Sequence, residues 1–157
     1  MEGKVTRMGY GSKSISDWVY DVHALARKRG WWVPYEAREG ALRELSADQV
    51  LAKLMLVVTE IAEAAEEVRL SNFKPRETSF EIFGAPDGRL TREKFREDQG
   101  RYPDEDIKPL GFPSELADAV IRIFDLCGAM GIDLEQAIRE KHAHNETRAQ
   151  RHGGKRA

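Results

Sequence analysis

The sequence predicts an all-α domain of four helices with a long irregular insertion between the second and the third. Three observations lead there. Apolar residues recur at three- and four-residue spacing in four separate stretches. Those stretches are bounded by residues suited to capping or ending a helix. The segment from Ser71 to Phe112 loses the pattern altogether, broken by Pro75, Pro86, Pro103, Pro109 and four glycines. With 157 residues the chain is read as one domain, 1–157, long enough to bury a core.

The first helix is expected over Ser16–Arg29, capped by Ser14 or Ser16, with Trp18, Val19, Val22, Leu25 and Ala26 at helical spacing. Residues 1–13 before it are polar and Gly-rich and read as a flexible arm. Gly30 ends the helix, and Trp31, Trp32, Val33 and Pro34 follow as a non-helical aromatic knot. Residues 35–45 are mixed, with room for a helical turn or two. Ser46 and Gln49 form a capping box that opens the second helix, Ala47–Arg69. Its first half, Leu51 to Val58, is apolar on nearly every side except Lys53, the pattern of a helix buried in a bundle. The insertion, 71–112, reads as a loop with minor β structure. Thr78–Phe83 is suited to a short hairpin arm and Arg92–Asp98 to a helical turn. Helical patterning returns after Pro113 with Leu116, Ala119, Val120, Ile123, Phe124 and Cys127, and stops by Gly131. Asp133 caps a fourth helix, Leu134–Thr147, with Gln136 at the capping-box position; a basic tail, 149–157, follows.

Composition narrows the function classes. The chain is 41% apolar and 33% charged with a net charge of −2, which gives no electrostatic reason to expect a nucleic-acid or membrane partner. A single cysteine, Cys127, excludes an internal disulfide and fits a buried thiol in a reducing, cytoplasmic setting. No N-terminal apolar segment of signal type is present, and the longest apolar run, Leu54–Val58, is far too short to cross a bilayer.

The chemistry lies in carboxylates. Glu60, Glu63 and Glu67 fall within about 60° of one another around a helix and line up with Leu56, so they continue a face that is apolar one turn earlier. A buried carboxylate is costly unless it is paired, protonated or bound to a metal. Glu115 and Asp118 form a second i, i+3 pair on the third helix. Two antiparallel helices each offering such a pair would gather four hard oxygen ligands, a set suited to Mg²⁺ or Mn²⁺. The plainer alternative is two solvated acidic faces, with Asp118 paired to Arg122 at i+4 on its own helix. On the fourth helix Lys141, Asn145 and Arg148 share one face within about 60°. They form either an edge for phosphate and ribose or the ordinary cations of a helix C-terminus.

EIAEAAEEVR, PSELADAVIRIFDLCGAMGIDLEQAIREKHAHNETR and RHGGK together resemble the MazG-like members of the all-α NTP pyrophosphohydrolase superfamily. The family signature is Glu-x-x-Glu on one helix and Glu-x-x-Asp on the next, and both stand here in order. The resemblance covers residues 16–70 and 108–155. It implies a four-helix MazG-like bundle and Mg²⁺-dependent cleavage of a (d)NTP to (d)NMP and pyrophosphate, with Mn²⁺ a possible substitute, as house-cleaning of the nucleotide pool. By the resemblance Glu60, Glu63, Glu115 and Asp118 hold the metal, Glu63 is the catalytic base, and Lys141 acts on the phosphates. His23, Trp32, Lys141, Asn145 and Arg148 are then the substrate-binding residues, and the protein is a homo-oligomer, dimer or tetramer. His23 and Trp32 are spaced like a His and Trp that meet the base in related deoxycytidine triphosphatases. Two features depart from the family. The interval between Glu63 and Glu115 is longer than usual, and Ala149-Gln150 stands where the family commonly has Pro-Tyr before RHGGK. A phosphoribosyl-ATP pyrophosphohydrolase shares the same carboxylate logic. The competing class is a non-catalytic helical-bundle adaptor whose carboxylates make salt bridges.

Overall fold

The computed structural model describes residues 12–36, 44–70, 73–82, 89–90 and 107–148. The chain forms two compact units. One comprises Met1–Leu45 with Phe124–Ala157, the other Ser46–Ile123. Among the described residues there are four α-helices: α1 (Ile15–Lys28), α2 (Ala47–Arg69), α3 (Phe112–Met130) and α4 (Leu134–Glu146). The protein is mostly helical, as expected, with a small sheet. α3 is shared, its first part in the second unit and the rest in the first.

In the first unit, the Ser14 hydroxyl accepts from the backbone N–H of Asp17, and the Asp17 carboxylate accepts from the backbone N–H of Ser14. This reciprocal box opens α1, and Gly30 follows its C-cap. The aromatic knot is a 3-10 turn, Val33–Tyr35, with Pro34 in its first turn. α4 starts at Asp133, whose carboxylate accepts from Gln136 N. The Gln136 side chain goes on to Glu140 rather than back to the cap, so the box is half made. Ser16, in the first turn of α1, donates both its N–H and its hydroxyl to Glu135 Oε2 (3.2 Å each). Among the described residues of this unit, the buried apolar ones are Trp32, Leu126 and Cys127.

In the second unit, α2 follows the expected bounds to the residue, with the Ser46–Gln49 box complete. One expectation fails. Within the chain α2 is not a buried helix: only Glu60 and Ala64 are buried, and Leu51, Leu54, Met55, Val58 and Ile61 are exposed. The insertion holds more β structure than expected. β1 (Ser79–Ile82) pairs antiparallel with β2 (Arg89–Leu90) and with β3 (Ile107–Leu110), in the order β2-β1-β3. Pro109 disguises β3 in the sequence, but β3 is an edge strand, where proline is tolerated. The expected turn at Arg92–Asp98, the arm 1–13 up to residue 11, residues 37–43 and the tail 149–157 lie outside the described residues.

β3 hands the chain to α3 through Gly111. Its φ of 99° lies in the left-handed region, and a Cβ there would stand 3.2 Å from the Glu77 carbonyl oxygen. The Gly111 carbonyl accepts from the N–H groups of Ser114 and Glu115 (2.8 and 3.2 Å), which starts the helix and fixes where Glu115 emerges. Phe112 packs edge-to-face on Phe73, ring centroids 5.4 Å apart.

Candidate metal centre

The second unit brings together carboxylates from α2 and α3. Glu60, Glu115 and Asp118 each present an oxygen, and these oxygens all lie within 4.8 Å of one another. Glu60 and Glu115 are only 8% exposed; Asp118 is half-buried. The i, i+3 spacing on α3 puts Glu115 and Asp118 on one face.

The electrostatics record the crowding. Burial, then the like charges of Glu63, Asp118 and Glu60, push the Glu115 carboxyl above its ordinary value. Burial and the Glu60 charge do the same to Asp118, with Arg122 and Lys108 pulling it partly back. Glu63 is exposed and stands outside the three-carboxylate group, though its charge acts on both α3 carboxylates. The expected quartet is therefore a tight trio with a fourth carboxylate at its edge. The trio fits a hard divalent cation: its donors are anionic oxygens, two of them buried, on two different elements.

Arg122 differs from the expectation. Its Nε donates to Glu60 Oε1 at 3.0 Å, across from α3 to α2, while its charge also acts on Asp118 one turn back. The i, i+4 spacing on α3 gave no sign of the partner on the other helix.

The first unit joins His23 to Trp32, through a residue that the sequence did not single out. Asp125 Oδ1 accepts from Trp32 Nε1 (2.8 Å) and lies 2.9 Å from His23 Nδ1. The two rings meet edge-on, centroids 5.3 Å apart, and Trp32 also packs against Tyr35. Trp32 is 0% exposed, so its indole has no face open for stacking on a base. Asp125 is 7% exposed. Its only sequence signal is an isolated acid within the apolar run IFDLC. Gly128 makes the arrangement possible: a Cβ there would fall 2.5 Å from His23 Cβ and 3.2 Å from the Val19 carbonyl oxygen. A pocket of about 480 Å³ opens beside this group, lined by Val19, Tyr20, His23, Arg27, Cys127 and Gly128 among others. Burial holds the Cys127 thiol above its ordinary pKa. Lys141, Asn145 and Arg148 are all exposed on and just after α4.

The chain matches no family model, no curated protein and no solved structure. Among the described residues no helix is long and apolar enough to cross a membrane.

Proposed function

We propose that this chain is a Mg²⁺-dependent nucleoside triphosphate pyrophosphohydrolase of MazG-like type, cleaving a (d)NTP to (d)NMP and pyrophosphate. The observation that carries this reading is the convergence of Glu60, Glu115 and Asp118. Burying like charges side by side is unfavourable for a fold that gains nothing from it.

Glu60, Glu115 and Asp118, joined by Glu63, would hold Mg²⁺, which when bound supplies charge neutralisation at the phosphates and acidifies water. Glu63, exposed at the edge of the trio, takes the proton from the attacking water. In the first unit, the exposed Lys141 and Arg148 are suited to a polyphosphate and the Asn145 amide to a sugar. His23 has its Nδ1 turned to Asp125, which leaves Nε2 for a base in the adjoining pocket. Trp32 serves this site by holding Asp125 rather than by stacking. The exposed apolar stripe of α2 is covered by a second copy in a cytoplasmic homo-oligomer.

One observation favours a second reading, a non-catalytic helical adaptor: Glu60 already has a cationic partner in Arg122. A hydrolysis panel separates the two. Protein with Mg²⁺ meets the common dNTPs and NTPs, dUTP and several modified dNTPs, with pyrophosphate and orthophosphate assayed separately. Pyrophosphate release that stops on adding EDTA is expected. A folded protein that hydrolyses none of them is the adaptor.

A further inference from the structure

The Arg122 side chain bridges the two helices of the acidic group. Its Nε sits 3.0 Å from Glu60 Oε1, and both side chains are largely shielded, Glu60 to 10% and Arg122 to 29% side-chain exposure. Glu60 is also a member of the three-oxygen group. One carboxylate thus belongs to two arrangements, an ion pair within the chain and a ligand set for a cation.

Both arrangements draw on the same carboxylate, and filling both at once would bring two like charges close together. A magnesium ion would lie about 2.1 Å from a coordinating carboxylate oxygen. A guanidinium nitrogen 3.0 Å from Glu60 Oε1 would then be a like charge only a few ångströms from it. Shielded from water, such like charges repel more strongly than they would in solvent. Glu60, Glu115, Asp118 and the nearby Glu63 carry four negative charges, and Arg122 and Lys108 set two positive ones against them.

We propose that Arg122 is a tethered counter-cation of this site. It holds Glu60 while no ion is bound, and it is displaced from Glu60 when a divalent cation enters. The site's ion affinity is thereby set below what its carboxylates alone would give. This rests on the metal-site reading above and adds to it a positioning residue that acts through Glu60. By linkage, whatever the ion does to the Arg122–Glu60 pair, that pair does to the ion.

The test measures ion binding without substrate. Mn²⁺ is titrated calorimetrically into wild type, Arg122→Gln and Arg122→Lys, and the melting temperature of each ion-free protein is recorded. Arg122→Gln should bind Mn²⁺ roughly five- to tenfold more tightly than wild type, the scale of an ordinary coupling between ligands. It should also melt lower when ion-free, with Arg122→Lys in between. A second readout needs no variant fold: in ¹⁵N-labelled wild type, the Nε–H resonance absent from Arg122→Lys should lose its protection from solvent exchange on saturation with Mg²⁺. Equal or weaker Mn²⁺ binding by Arg122→Gln, or an Nε–H that Mg²⁺ leaves protected, overturns the proposal while the metal site stands. Ion binding by neither wild type nor variant overturns both.

Discussion

At the level of single residues, the three crowded carboxylates differ in what their removal should do. Burial first, then neighbouring like charges, raises the pKa values of Glu115 and the half-buried Asp118, so an uncharged isostere relieves both penalties. Asp118→Asn or Glu115→Gln should leave the ion-free protein as stable as wild type or more so, while turnover disappears. Glu60→Gln should behave oppositely, since it strips a partly buried guanidinium of its carboxylate; a loss of ~1–3 kcal/mol in chemical denaturation is expected. The raised pKa values also set a pH dependence. Protonation is favoured in the folded state, so this contribution to stability is fully present below the ordinary carboxylate values and is lost as pH rises through the raised ones. The melting temperature gained by Asp118→Asn should therefore be largest at neutral pH and shrink on acidification. Protons and metal compete for the same oxygens, so apparent Mg²⁺ affinity of wild type should fall over that same acid range.

At the level of elements, the joint of α1 with α3 in the first unit depends on the absence of a side chain at Gly128. Gly128→Ala would drive a methyl into His23 and the Val19 carbonyl. A loss of ~1–3 kcal/mol is expected, with the His23 imidazole signals shifted by separation from Asp125. Trp32→Phe leaves Asp125 without the indole donor in a buried place and opens a small cavity where the fused ring stood. It should cost ~1–3 kcal/mol, read from urea denaturation. These elements also show which parts of the fold were legible in the sequence. The box at Ser46 and the start at Asp133 could be read because a cap and its partner are three residues apart, and Ser14 was one of two serines read as the cap of α1, its box with Asp17 appearing only in the structure. β3 could not, because the pairing of Ile107–Leu110 with Ser79–Ile82 is distant in sequence and Pro109 reads as a break. Two of the site's features were hidden for the same reason. That Glu60 would meet Glu115 and Asp118 was expected from a face of α2 read as buried, yet of that helix only Glu60 and Ala64 are buried and Leu56 is exposed. That Arg122 would cross to Glu60, and that Asp125 would join His23 to Trp32, depended on interhelical placement, which spacing along one helix does not encode.

At the level of the whole molecule, Leu51, Leu54, Met55, Val58 and Ile61 recur along α2 at three- and four-residue intervals, and all are exposed in the isolated chain. A contiguous apolar face of this kind calls for a partner surface. Sedimentation should give a mass that is a multiple of 17.8 kDa, and Met55→Glu should shift the assembly towards monomer. A wild-type protein that sediments as a monomer at high concentration would show that no second copy covers this face. Whether Glu60, Glu115 and Asp118 form a site for a divalent cation is decided by titrating Mn²⁺ and following the electron paramagnetic resonance of the free ion. Wild type should remove Mn²⁺ from solution saturably and release it to Mg²⁺, and Asp118→Asn, folded to the same extent, should not. Equal Mn²⁺ uptake by both proteins, or none by wild type, would contradict such a site.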